Sequence, residues 1–472
     1  MEHAGPVAEG SLGMQWLDSD GQKRIHTNVL RILAEVGLEV QHPKLLDALA
    51  GIGATICLVN SRARFPADLV EGFIAGCPKV DCKTWKPSLV GRTGVFLGDY
   101  LHPDTNEMMP FNEQRLCDYF RLGKALPNIT SYYLMSCQWP VNPLVEPLYE
   151  RLHAWKYGAQ DGGSLHPKAT APNILRFCES YAAMRGKDVK DVFSGGIWLV
   201  SPLRITAEEA AIMVWWWERG FKVGVTHMTT GGLSAPVTIA GQVSLNIAEE
   251  LAISLLHKAC YGESRFSLFT MVACADMRTA IRPFGRPEIV VLAGAVASMA
   301  RYYGVDVFVQ SGLSDAKVPG PEAGAQKAMT TVGTLLAGAN TLMDAGIMGI
   351  DQVYSPIQMI LDDELTGAIQ RLLRPVDTDE EDLAFEAIAE VGPGGLYADA
   401  LHTVRHHRRE LWDPTLWSRE MLSAWHAGDR TTDLDRARGR YREIMADAPD
   451  IVQLTPDEEY ALRRIIANTA GN

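Results

Sequence analysis

Most of the signatures that would place this chain in a familiar class are missing. It carries 44 Lys and Arg against 57 Asp and Glu, a formal charge of -13. It therefore lacks the basic excess that displaces counterions from nucleic acid or draws a protein onto an anionic membrane. A negative surface weakly favours a cationic small molecule instead. The eight cysteines stand far apart, at positions 57, 77, 82, 117, 137, 178, 260 and 274, and form neither a CxxC pair nor a Cys/His cluster with zinc spacing. Scattered reduced thiols are expected. No His-x-Cys occurs, the pairing that holds zinc in enzymes moving methyl groups to or from thiols, and no GxGxxG opens a helix after the first strand, which weakens a dinucleotide-binding reading. The opening MEHAGPVAEG has neither a basic nor an apolar leader region, and no uninterrupted apolar run reaches the roughly 18 residues of a membrane span. The expectation is a cytoplasmic protein with no membrane partner.

What is present is a large core. The chain has 472 residues, 47% hydrophobic and 21% charged, enough for two or three average domains or one elaborated barrel. Strand-like apolar runs lie at 131–137, 162–166, 192–200, 222–227, 266–273, 305–310, 340–346 and 396–401, most of them separated by helical stretches. Eight short strands alternating with helices predict an α/β protein, a (β/α)8 TIM barrel rather than an open sheet. Residues 1–125 read as a mainly helical amino-terminal region packed on the barrel. Ile25, Val29, Leu30, Ile32, Leu33 and Val36 keep helical spacing, and further helices start near Pro43 and Pro66. The barrel is expected over 126–412 and outer helices over 413–472. The long helices leave room for a homo-oligomeric face.

In such a barrel the pocket is lined from the carboxyl ends of the strands. That puts Gln138 and Trp139, His166 and Lys168, Trp198, His227 and Met228, Cys274 and Asp276, Gln310 and Asp315, Gly346 and Met348, and His402 at the mouth. These positions are rich in rings and neutral polar groups and poor in clustered acids. Asp276 and Asp315 each have a basic residue two positions on, Arg278 and Lys317, and local ion pairing accounts for them. Trp139 and Trp198, with Tyr100 if the amino-terminal segment folds over the mouth, suit a cationic methylammonium head, each ring face offering about 0.5–2 kcal/mol to a desolvated cation. The alternative for each is plain packing between strand and helix. Trp215, Trp216 and Trp217 read as outer-helix packing, and His406 and His407 as solvated. Gly231-Gly232 could offer backbone N–H groups to an anion or simply let the chain turn.

The loop SDAKVP followed by EAG, and the later MILDDEL, resemble the trimethylamine methyltransferase family. So do NVLRILAEVGLEV, FPADLVEGFIAGCP, DYLHPDTNEMMPFNEQRLCDYFRLGKALPNI, GGLSAPVTIAGQVSLNIAEELA and LHTVRHHRRELWDP, so the resemblance spans nearly the whole chain. It implies an enzyme that moves methyl groups from methylated amines to a cobalt corrinoid, cobalamin carried on a partner protein. No DxHxxG stretch that would hold the vitamin occurs here. The family's trimethylamine-specific members carry pyrrolysine, which falls near Gln310–Asp315 by distance from the carboxyl terminus; this chain has only standard residues. The departure favours a quaternary amine, glycine betaine before carnitine, proline betaine, choline or a sulfonium. Its leaving group is already a neutral amine, so a strong external nucleophile displaces it without a proton donor, and alignment rather than a protein nucleophile is the expected catalysis. On that reading Tyr100, Trp139 and Trp198 surround the trimethylammonium, while Gln138, His227, Gln310 and His402 face the carboxylate. Tetrahydrofolate as direct acceptor, or a non-catalytic betaine-binding protein, are the alternatives.

Overall fold

The computed structural model describes residues 16–81, 86–94, 98–136 and 139–470. Its architecture is mixed helix and strand, built from eight successive strand-then-helix units. They are β1 (Leu89–Arg92) and α1 (Glu113–Ala125); β2 (Ile129–Ser131) with β3 (Tyr133–Leu134) and α2 (Glu146–Lys156); β4 (Gln160–Asp161) and α3 (Ala171–Arg185); and β5 (Gly196–Leu199) and α4 (Ala207–Trp217). Next come β6 (Gly224–His227) with β7 (Thr230–Gly231) and α5 (Ile239–Tyr261); β8 (Leu268–Thr270) with β9 (Ala273–Cys274) and α6 (Glu288–Tyr303); β10 (Val307–Ser311) and α7 (Pro321–Leu336); and β11 (Asn340–Asp344) and α8 (Pro356–Leu373).

All the pairings among these strands are parallel. β8, β10, β11, β1 and β2 lie side by side in that order, β3 pairs with β4, β5 with β6, and β7 with β9. An isolated parallel bridge joins Ser164, just past β4, to Gly196 of β5. Local chemistry sets the boundaries. Gly304, at φ 65°, closes α6 in the left-handed region that a residue with a Cβ avoids, and the β-branched run Val305, Val307 and Val309 then extends as β10.

Side-chain alternation divides the sheet into two faces. Ile197, Leu199, Leu268, Val307 and Val309 are buried in the main core together with residues of α5 and α6. α5 is long and apolar enough to cross a membrane by length and composition, but 83% of that stretch is buried inside the protein. It is a core helix.

Two sequence expectations need correction. Residues 396–401 form no strand; they lead into a helix, α9 (Leu401–Glu410). The flank of β11 that such a strand would need is taken by β1, which pairs Thr341–Asp344 with Leu89–Arg92. β1 is invisible to periodicity because LVGR is too short to show a period, and the sequence reading puts it in the helical amino-terminal region. The helices expected from Pro43 and near Pro66 do form, at Pro43–Gly51 and Ala67–Gly76. Beyond α9, α10 (Asp433–Asp447) packs on α8 and α1, and α11 (Pro456–Ala470) packs on α3 and α2.

Candidate active site

Opposite the helix-covered face, the same strands present a different set of side chains. Alternation and register put Trp198 beside Thr226, Phe269 beside Phe308, Gln310 beside Leu342, Leu342 in turn beside Val90, and Asp344 beside Arg92. Trp198 is 43% exposed although its neighbours Ile197 and Leu199 are buried. Phe269, Phe308, Leu342 and Val90 are half-buried. Solvent therefore reaches this face of the strands, which is lined with rings. Tyr133 joins it, because Leu134 turns into the core and the Tyr133 ring lies 5.4 Å from the Arg92 guanidinium carbon.

The polar part of this face is a locked network. Arg92 Nε donates to Asp344 Oδ1 at 2.5 Å, and Gln310 Nε2 donates to Asp344 Oδ2 at 2.6 Å. Asp344 is fully buried and Arg92 mostly so. Gly94 allows this approach, since a Cβ there would stand 2.3 Å from Asp344 Oδ1. Beneath, the fully buried Lys327 donates to Asp362 Oδ2 at 2.8 Å, to the Gly312 carbonyl at 2.8 Å and to the Asp344 carbonyl at 3.3 Å. Asp362 also accepts the Gly346 N–H at 2.7 Å and Gln358 Nε2 at 2.8 Å. One ion pair thus fixes the ends of β10, β11 and α8 together.

The acids of MILDDEL prove to be three separate anchors. Asp362 holds Lys327; Asp363 accepts the Asn128 N–H at 2.8 Å; Glu364 accepts the N–H groups of Thr415 and Leu416 at 2.9 Å and so ties the carboxyl-terminal segment to α8. Asp315 of SDAKVP accepts the N–H groups of Phe284 and Gly285 at 2.7 and 2.9 Å, clamping the loop after β9. The ion pairs expected of the two loop acids are absent among the described residues: Asp276 takes the backbone N–H of Arg278, and Lys317 reaches the Asp315 carbonyl.

The predicted site residues are not brought together as a set. Trp198 and Gln310 are on the ring-bearing face of the strands. His227 is not. Alternation opposite Thr226 turns it to the helix side, where it is buried with Nδ1 2.7 Å from Glu249 and Nε2 3.0 Å from Glu250 of α5. Both nitrogens are committed, so none is free for a ligand carboxylate. Burial opposes its charge, but Glu250 and Glu249 outweigh it and hold the imidazole protonated up to about 10. Tyr100 is buried in a ring cluster with Phe111 and Tyr354, centroids 5.7 and 5.5 Å away, and its hydroxyl meets Tyr441 of α10 at 3.4 Å. Trp139 lies 5.0 Å from the His153 ring and packs on the second core cluster. His402 is on α9, not at a strand end, stacked on His406 at 4.4 Å. His406 is not solvated; it is buried, with Nε2 3.1 Å from Glu381. Gly231 ends β7, paired with Cys274, and Gly232 opens the turn that follows, donating its N–H to the Ala235 carbonyl at 2.9 Å. Gln138 lies outside the described residues. Arg92, Tyr133 and Asp344 were missed; Asp344 had a readable signal, a carboxylate ending an apolar run in TLMD.

Parallel strands alternating with helices, with rings and a paired acid on the face away from the helices, define an α/β protein. The profile of the family described as trimethylamine methyltransferase (MTTB) matches residues 3–84 and 162–470, and the chain belongs to that family. It is similar to the glycine betaine methyltransferase of Desulfitobacterium hafniense (strain Y51), 27% identical over 91% of this chain and 92% of that one. It is also similar to the trimethylamine methyltransferase MttB1 of Methanosarcina mazei, 32% identical over 90% and 89%. The crystal structure of the Methanosarcina barkeri monomethylamine methyltransferase (MtmB) aligns at a TM-score of 0.46 and 11% identity, over 98% of this chain and 90% of that one. The protein is a methyltransferase of this family.

Proposed function

We propose that the protein transfers a methyl group from a quaternary amine, glycine betaine foremost, to the cob(I)alamin of a corrinoid protein, leaving dimethylglycine. The observation that carries this is the half-exposed indole of Trp198 on the inner face of a sheet whose other face is sealed. With Tyr133, Phe269 and Phe308 it offers π faces to a cation that has no N–H to donate, so rings rather than acceptors are the fitting chemistry. The relatives named for betaine and for trimethylamine are too close in identity to separate the two donors. The absence of pyrrolysine favours betaine. The locked Arg92–Asp344–Gln310 network keeps the ring-bearing face rigid, so a bound donor meets one geometry.

What supports a (β/α)8 barrel is the run of parallel pairings from β1 through β11, which comes back to β1. The loops after β6 to β9 leave Met228, Leu233, Val237, Met277 and Ile281 exposed at the strand ends, an apolar rim that fits the broad face of a corrinoid. The corrinoid, when bound, supplies the nucleophile; this chain orients the methyl carbon toward it and keeps water out.

Trp198→Ala is expected to raise the KM for glycine betaine about tenfold to thirtyfold, the equivalent of roughly 1.4–2 kcal/mol, with the melting transition little changed. Unchanged KM would remove Trp198 from the site. An anaerobic assay over a donor panel, with cob(I)alamin and with tetrahydrofolate, tests the reaction by dimethylglycine formed. Donor binding without product from any acceptor would leave a binding protein and end the proposal.

A further inference from the structure

Arg282 stands over the strand ends with no role in the network described so far. It lies in the loop between β9 and α6, and that loop is pinned on both sides of it. Ile281 bonds back to Asp276 through the Asp276 N–H at 2.8 Å, and the Phe284 and Gly285 N–H groups are held by Asp315. The backbone on either side of Arg282 is therefore fixed. Its two terminal nitrogens meet Met228 Sδ and the Met271 carbonyl, residues that directly follow β6 and the β8 strand of Phe269. Its carbon lies 5.1 Å from the Phe284 ring. Among the described residues its buried Nε has no hydrogen-bond partner.

The charges around the ring-bearing face leave Arg282 under-committed. Arg92 has Asp344, Lys327 has Asp362, and His227 has Glu249 and Glu250. Among the described residues Arg282 meets a thioether, a carbonyl and the Phe284 ring, none of them charged. The opposing group it senses is Asp351, whose Oδ1 is likewise buried and without a partner among the described residues. A half-buried guanidinium with a free Nε–H is suited to a carboxylate, which takes that N–H and a second hydrogen of a terminal nitrogen in parallel. Burial lowers the pKa of Arg282 to about 10, which still leaves it charged at neutral pH.

We propose that Arg282 is the specificity-determining residue of the donor site. It takes the acid group of a zwitterionic donor, while the rings of the inner face take the N-methyl head. The inference rests on the quaternary-amine reading above and narrows it to donors that carry an anion.

The test is isothermal titration and the anaerobic methyl-transfer assay on wild type, Arg282→Ala and Arg282→Lys, with glycine betaine and choline as donors. Wild type should bind glycine betaine at least about tenfold more tightly than choline. Arg282→Ala should weaken glycine betaine by about tenfold to a hundredfold and leave choline within about twofold, so that the preference vanishes. Arg282→Lys keeps the charge without the fork and should fall between, which keeps the proposal testable if the alanine variant folds poorly. Equal losses for both donors, or unchanged betaine affinity in Arg282→Ala, would overturn the assignment. Wild type that binds choline as tightly as betaine and demethylates both would sink Arg282 alone. Wild type that takes a methyl group from neither would sink the donor reading itself.

Discussion

Lys327→Met is expected to destabilise the protein by about 3–5 kcal/mol, because it leaves Asp362 as an uncompensated charge in the interior. Lys327 and Asp362 are both fully buried, 2.8 Å apart, and the ammonium also satisfies two carbonyls, those of Gly312 and Asp344. Methionine fills the volume but satisfies none of the three acceptors. The loss should appear as a lower denaturation midpoint. The double variant Lys327→Met with Asp362→Asn should recover part of it, since the amide oxygen can still accept the Gly346 N–H without a charge. A single-variant cost under about 1 kcal/mol would mean that the pair is not sealed from water. Activity should fall with stability, because the pair fixes the strand end that carries Asp344.

His227→Ala is expected to cost a similar amount, about 3–5 kcal/mol, by leaving Glu249 and Glu250 facing each other without the imidazolium. Glu249 also accepts the Leu203 N–H and the Ser201 hydroxyl, each at 2.8 Å, so the turn after β5 should loosen as well. This pair has a pH signature. The folded imidazole keeps its proton up to about 10, against roughly 6.5 in an unfolded chain. A raised pKa contributes stability that is complete below the unfolded value and is lost as pH rises through the folded one. Wild-type stability should therefore decline between about pH 6.5 and pH 10, by at most about 1.4 kcal/mol per pH unit from this group. The slope should flatten in a His227 variant. Equal slopes in the two proteins would show that His227 is not the group that titrates.

The parts of the fold legible in the sequence are those with a strong local signal. The β-branched run after Gly304 announces β10, and Pro43 and Pro66 mark helix starts that need no distant contact. Trp198 stands out in the sequence as a ring late in a strand, and in the structure it is exposed between the buried Ile197 and Leu199. β1 was not found, since Leu-Val-Gly-Arg becomes a strand only by pairing with β11, whose sequence lies some 250 residues away. The error at 396–401 has the same origin: an apolar hexapeptide was read as a strand without knowing that the edge it needs was taken. His227 was misjudged by one position, because at a period of two a single residue separates the ring-bearing face from the helix layer.

The sequence by itself determined the family, the alternation of strand and helix, and the poverty of acid–base pairs that turns attention to a permanently cationic donor. Those are properties of residue type and short-range order. Only the tertiary structure decided which polar groups are already satisfied. It committed His227 to two glutamates and Tyr100 to α10, and gave the three acids of MILDDEL three separate anchoring roles. Among the described residues it left Arg282 with an unfilled N–H. Whether a charge is available to a ligand depends on what it already touches, and buried charges find their partners across register and layer rather than along the chain.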